Sequence, residues 1–422
     1  MLISFSVRNY RSFRDEATLD LRSPRGVAAG ARPWDGNVQA VAGIYGANAS
    51  GKTTFFNALR AMADQVTHSY RRSAVVGEPF AFDSTSRDQP TEFSATFIAT
   101  DGVCYAYGFS VLGGAVIEEW AERYVTARST ALFERHGMSF RYGTALKGAN
   151  RAVEKTVQPS TLYLSAAAAA GHEGLAALYG WFSQQLRAFP AGGHESLLGQ
   201  VMGTLAEDTA RRERLATMLS RADLGLTSLD LERHDLSDAE KLQLLKVAEA
   251  VRTMTGRDVV PEPPSAMWEA YGVHRFGGQE WQLPLELESD GTRAMLCYVF
   301  VIDEALRSGA TIVFDEIDGS LHPLLVRELV HIFQDRQLNP LQAQLVFTTH
   351  DVSLIEAGYG NGSQLGRDEV WLAQKDAVTG RSTLVALADY SPRTRENLAR
   401  RYMSGRYGGV PDYVDIVDPV LV

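Results

Sequence analysis

The sequence predicts an α/β protein with a parallel-sheet core, an antiparallel β subdomain and an inserted helical domain. Three observations carry this. An apolar run at residues 38–45 ends in a glycine-bounded loop, and Phe56, Leu59, Met62 and Val66 then follow with helical spacing. Two short β-branched and aromatic runs, 311–314 and 344–347, flank a helical stretch beginning at Pro323, which makes a βαβ crossover. Between these lie a region of period-two alternation and a region rich in Ala, Leu, Glu and Arg.

Taken in order, residues 2–22 read as two or three short strands, with Ile3, Phe5 and Val7 alternating against polar neighbours. A Pro/Gly/Arg loop follows at 23–36. Strand, glycine loop and helix over 38–66 stand in the order that a phosphate-binding loop requires. From Phe93 to Tyr142 the alternation returns (Phe93, Ala95, Phe97; Tyr105, Tyr107, Phe109, Val111), as expected of an antiparallel sheet. Helical spacing takes over at 175–186, 198–219 and 239–254, and Pro261, Pro263 and Pro264 mark the exit. The parallel core resumes near Leu283. The expected division is an N-terminal lobe at 1–164, a helical insertion at 165–265 and a C-terminal lobe at 266–422.

The 422 residues carry a net charge of -10, with 45% hydrophobic and 22% charged residues, an ordinary balance for a folded soluble chain. That charge argues against a globally basic nucleic-acid binder but leaves room for a local basic groove. The strongly apolar run 294–302 stops at Asp303, too short for a bilayer. No basic segment precedes an apolar one at the N-terminus, so no signal peptide is expected. Cys104 and Cys297 lack ligand-like spacing and read as reduced packing residues. A cytoplasmic protein without a membrane partner is expected.

The chemistry concentrates in four places. Gly46-Ala47-Asn48-Ala49-Ser50-Gly51-Lys52-Thr53 matches G-x-x-x-x-G-K-[ST], with Thr54 following. Its glycines let backbone N–H groups turn onto phosphates, Lys52 reaches the β- and γ-phosphates, and the Thr53 hydroxyl suits Mg²⁺. Val313-Phe314-Asp315-Glu316 is an apolar strand ending in two carboxylates: Asp315 would hold Mg²⁺ and Glu316 would polarise the attacking water. His350, in Phe347-Thr348-Thr349-His350-Asp351, could hydrogen-bond the γ-phosphate, although a lone histidine at a strand end is more often simply packed there. Ser289-Asp290-Gly291, ahead of a helix beginning near Ala294, can form an anion site, or an ordinary N-cap built on Ser289 or Asp290.

Together these four elements resemble the P-loop NTPases of the ABC-type head class, that of the SMC and RecF ATPases. The resemblance implies a head-to-head dimer around ATP and Mg²⁺, with Gly46, Asn48, Ser50, Gly51, Lys52, Thr53 and Thr54 holding nucleotide. It implies that Ser289 and Gly291 act on the nucleotide of the partner subunit, and that Lys52, Glu316 and His350 form the catalytic set. Thr292-Arg293 departs from the transporter signature, and no long heptad arms are present. A narrower resemblance is to the bacterial AAA-15/AAA-21 ATPases, the group of RloA/AbiLi and PtuA-like proteins of phage-defence operons. It rests on the runs 5–13, 222–226, 315–323, 367–371 and 404–411. It implies a sensor or scaffold that controls a nuclease or toxin encoded nearby.

A RecF-like repair ATPase that clamps DNA is the alternative. An OLD-type nuclease is disfavoured, because the 72 residues after His350 hold no second acidic cluster of the Glu…Asp-x-Asp kind. Arg393, Arg395, Arg400, Arg401 and Arg406 face one acid, Glu396, between Tyr390 and Val410. They read either as a contact surface for nucleic acid or an acidic partner, or as a solvated helix face.

Overall fold

The computed structural model describes residues 1–22, 38–125, 128–221, 225–255, 266–319, 321–356, 365–391 and 397–410. Two compact units result: Met1–Ala191 with Glu304–Val422, and Gly192–Asp303. The first opens with β1 (Leu2–Arg8) and β2 (Ala17–Asp20), where alternation buries Phe5 and Val7 and leaves Ser4 and Ser6 half-buried. Next come β3 (Val41–Tyr45), buried throughout, and α1 (Lys52–Arg72). Strands β4 (Thr91–Ile98), β5 (Cys104–Leu112), β6 (Ala115–Tyr124), β7 (Ser129–His136) and β8 (Ser139–Tyr142) complete a seven-stranded antiparallel sheet in the order β2-β1-β4-β5-β6-β7-β8.

Short helices α2 (Asn150–Glu154), α3 (Tyr163–Ala169) and α4 (Ala176–Gly180) lead to β9 (Leu186–Phe189). A fully buried ion pair ties this connection down. Arg135 lies 3.2 Å from Glu119, and the Glu119 carboxylate also accepts the Tyr163 and Leu164 N–H groups at 2.6 and 2.9 Å. A buried charge pair is tolerable only when its remaining hydrogen-bonding capacity is filled in this way.

The second unit contains α5 (His194–Glu207), α6 (Thr209–Ser220), β10 (Leu226–Asp235), α7 (Asp238–Thr255), β11 (Ala266–Phe276) and β12 (Gln279–Pro284). Helix α8 (Asp290–Ser308) begins in it and runs past its boundary. Its bounds differ from the 165–265 expected, and it carries an antiparallel sheet, β10-β11-β12, beside its helices. These strands are largely exposed, so they lack the apolar alternation that marks a half-buried strand. Residues 165–191 belong to the first unit, where β9 pairs with the parallel sheet. A four-residue strand inside an apolar stretch shows no period of its own.

The first unit resumes with β13 (Thr311–Phe314), α9 (Pro323–Gln334), β14 (Gln344–Thr348), β15 (Val370–Lys375), β16 (Ser382–Ala386) and α10 (Leu398–Met403). The second sheet has the order β16-β15-β3-β14-β13-β9, parallel except at the β16 edge. Because β3, β13 and β14 run parallel, the loops after all three open on one edge. In α/β sheets that carboxyl edge is where ligands bind. The chain is thus a mixed α/β fold. Among the described residues no helix is long and apolar enough to cross a membrane. Cys104 and Cys297 are buried free thiols, which burial pushes up to about 12.

Candidate phosphate-binding site at the carboxyl edge of the parallel sheet

Three loops build the site: 46–51 after β3, 315–319 after β13 and 349–351 after β14. Backbone geometry explains the glycines of the first. Gly46 has φ of 157°, and a Cβ there would lie 2.5 Å from the Ala373 carbonyl oxygen. Gly51, the residue before α1, has φ of 118°, and a Cβ would press on Ser382 Oγ at 2.8 Å. Only glycine meets both demands. Ala49 also adopts a positive φ of 61°. Ser50 is buried, and its Oγ has no hydrogen-bond partner. Asn48 and Thr53 are exposed and Thr54 is half-buried at the start of α1, whose N–H groups are free to meet an anion.

Lys52 is 5% exposed and folds back on the loop, donating to the carbonyls of Gly46 (2.8 Å) and Ala47 (3.1 Å). Burial lowers its pKa, while Glu316, Asp315 and Asp318 pull it back up. Those three carboxylates therefore form the counter-charge of the loop lysine.

Asp315 is buried, and two hydroxyls converge on its Oδ1: Thr348 donates at 2.6 Å and Thr53 at 3.3 Å. Thr348 Oγ1 in turn accepts the Glu316 N–H at 2.7 Å. Glu316 sits at φ 52°, a left-handed conformation that costs a residue with a side chain about 1–3 kcal/mol. The surrounding hydrogen bonds hold it there: Ile317 N–H donates to the Thr348 carbonyl and Gly319 N–H to the Glu316 carbonyl. Thr53 and Asp315 present oxygen atoms only, the donor type that Mg²⁺ takes. The donor chemistry fits that ion.

His350 is exposed at the edge of this group, and its backbone N–H donates to Asp318 Oδ2 at 3.2 Å. Partial burial and then the Lys52 charge lower its pKa, against the pull of Asp318 and Glu316. An imidazole held below its usual range is neutral at neutral pH and can donate or accept a hydrogen bond. Asp318 was not among the residues assigned a role in the sequence. Its Oδ1 is buried without a hydrogen-bond partner, and its side chain links the loops after β13 and β14. Thr348 was likewise passed over, since nothing in the string Phe-Thr-Thr-His tells which hydroxyl faces β13.

Ser289 and Gly291 lie in the second unit. Ser289 Oγ accepts the Thr292 N–H at 3.1 Å and lies 2.8 Å from Thr292 Oγ1, so its hydroxyl caps α8. Buried His194 Nε2 lies 3.0 Å from Asp290 Oδ1, and Arg293 bridges Glu195 (3.1 Å) and Asp290 (3.5 Å). The start of α8 is thereby held by three side chains. Arg400 and Arg406 are exposed, and Arg401 is half-buried; Arg393, Arg395 and Glu396 lie outside the described residues.

A parallel strand, a glycine loop carrying lysine and threonine, and an acidic strand end one strand further along the sheet together define a P-loop protein. The chain belongs to the AAA_21 family, described as "AAA domain, putative AbiEii toxin, Type IV TA system", whose model matches residues 41–141 and 182–356, more than half of the chain. No curated protein matches it. Among solved structures, the chain is similar to an Smc head domain with an extended coiled coil, bound to the C-terminal domain of ScpA, from Pyrococcus furiosus. Identity is 13% and the TM-score 0.38, over 92% of this chain and 97% of that one. It is also similar to the recombination mediator protein RecF with ATP, at 12% identity and a TM-score of 0.36, over 91% and 97%. Likenesses this weak carry no function over to the chain.

Proposed function

We propose that the chain binds ATP with Mg²⁺ at the 46–54 loop and hydrolyses it as an ABC-type head ATPase, acting as sensor and scaffold in anti-phage defence. The observation that carries the chemistry is the meeting of Thr53 and Asp315 at 3.3 Å across 262 residues of sequence, beside Lys52. A lysine, a threonine and two carboxylates gathered at one sheet edge, with the lysine charge shifted by burial and by its acidic neighbours, mark a candidate functional site.

In this reading the loop N–H groups and Lys52 hold the β- and γ-phosphates; Lys52 exchanges its two carbonyl partners for phosphate oxygens. Thr53 and Asp315 would hold Mg²⁺, which would neutralise phosphate charge. Glu316 orients and polarises the attacking water, and His350 donates to the γ-phosphate. Ser289 and Gly291 of a second subunit complete each site, so ATP joins two copies. The family's description names a putative toxin and a TA system, which supports a defence role; the controlled partner in this reading is a nuclease or toxin.

Lys52→Ala should abolish ATP binding, whereas Glu316→Gln should retain binding and lose turnover. Equal ATPase rates for wild type and Glu316→Gln would remove Glu316 from the mechanism. Tight, salt-sensitive, ATP-dependent DNA binding by the protein alone would replace the defence reading with a DNA clamp.

A further inference from the structure

Residues 404–410, part of a C-terminal run to which the sequence gives no role, lie against the phosphate loop. Gly409 packs on Gly46: a Cβ at Gly409 would stand 3.6 Å from Gly46 Cα, from the Ala373 carbonyl oxygen and from Tyr402 Cε2. Tyr402, on α10, is buried and fastens this contact. Its hydroxyl donates to the Gly409 carbonyl at 2.9 Å. Burial pushes that hydroxyl up to about 12, while the backbone N–H of Gly46 acts on it in the opposite direction. The Tyr402 ring meets the Tyr45 ring edge-on at 5.8 Å, and the Tyr45 hydroxyl donates to the Asp351 carbonyl at 3.0 Å. One aromatic pair therefore contains the residue before the glycine loop and reaches the residue after His350.

The rest of the run is held just as closely. Gln374 Nε2 donates to the Tyr407 carbonyl at 2.6 Å and to the Tyr390 hydroxyl at 2.8 Å. Gly408 has φ of 70°, a left-handed conformation that a residue with a side chain adopts only at a cost, and a Cβ there would meet the end of the Gln374 side chain at 2.8 Å.

We propose that residues 398–410 form a strap on the outer side of the phosphate loop, and that Tyr402 is the positioning residue through which the strap sets the Gly46 backbone. Gly46 opens the loop, and a small rotation of its peptide re-aims every N–H that follows. The strap thereby governs how well the loop is pre-formed for phosphate. It touches no reacting atom. Its exposed side carries Arg400 and Arg406.

The inference rests on the ATP reading, and two measurements on the full chain separate their failures. Tyr402→Phe keeps the ring and its contact with Tyr45 and drops only the hydroxyl. With Mg²⁺ and ATP, it should raise KM and the ATP dissociation constant about fivefold, the net worth of one neutral hydrogen bond, while kcat at saturation holds. Unchanged affinity, or a fall in kcat alone, overturns the proposal. Without nucleotide, hydrogen exchange of the amides at 45–52 should accelerate in Tyr402→Phe, while exchange in the antiparallel sheet stays at the wild-type rate. This second arm stands even if wild type binds no ATP, and unchanged loop exchange sinks the strap by itself. Should Tyr402→Phe destabilise the whole fold, exchange would rise everywhere and the tyrosine would be merely structural. Gly408→Ala, which strains the strap backbone at a left-handed φ, must then reproduce the loop-specific exchange or the proposal fails.

Discussion

Thr348 pins both residues of the acidic pair at the end of β13. Its hydroxyl donates to Asp315 and accepts from the Glu316 N–H, so a single oxygen fixes both the proposed metal ligand and the strained backbone of the proposed base. Thr348→Val keeps the shape and removes both bonds. It should cost about 1–3 kcal/mol, because a backbone N–H loses its acceptor inside the fold. Thermal unfolding and paired binding and turnover assays check it. Turnover should fall more than ATP binding, since Lys52 and the loop are untouched; wild-type turnover would show that Glu316 needs no pin. Sequence could name Asp315, Glu316 and Lys52 because the glycine loop and the paired acids each follow an apolar strand. It could not name Thr348, Asp318 or Tyr402. Their roles come from which face of which neighbouring strand or helix they meet, and that is set by strand register and tertiary packing.

Among the elements, β1, β4 to β6, α1 and α5 to α7 were legible from a period repeated over enough residues, and β3, β13, α9 and β14 from short apolar runs beside a glycine loop or flanking a crossover helix. Unforeseen were β9, β15 and β16, which stand at the two ends of the parallel sheet, and the sheet of the second unit, whose strands face water on much of their surface. The 175–186 stretch was expected as a helix; it breaks into α4 and a π-helical turn, Trp181–Gln185, before β9. At the entry to β15, Glu369 is half-buried, accepting from Gln334 (2.8 Å) and the Gly366 N–H (2.7 Å). Burial raises its carboxyl from 4.5 to about 7, against those two donors and with help from Asp368. Because the folded value lies above the unfolded one, the protonated form is the stabilising one. That contribution is whole below about 4.5 and is lost as pH rises to about 7. Glu369→Gln never ionises. Its Tm relative to wild type should therefore climb between pH 4.5 and 7 and level off above. A difference that stays constant across that window would mean Glu369 is solvated like a surface carboxylate.

For the whole molecule, the glycine loop and the Ser289 cap belong to different compact units of one chain. On the proposed reading, a working site takes the loop from one copy and the cap from another. That arrangement makes a prediction that neither unit could make alone. Lys52→Ala removes the charge at the loop, and Ser289→Arg blocks the cap, so each homodimer should be inactive for a different reason. Mixed in equal amounts, half of the dimers are heterodimers, in which one site pairs an intact loop with an intact cap. A twofold-symmetric pair predicts recovery of about a quarter of wild-type turnover. Ser289→Arg also removes an N-cap worth about 1 kcal/mol, so unfolding of the single variant must be measured first. The start of α8 should survive that loss, because His194, Glu195 and Arg293 hold Asp290 independently of the serine hydroxyl. If both variants fold and associate with each other and the mixture still turns over no ATP, each copy does not complete the other's site, and the cap is no more than the end of a helix.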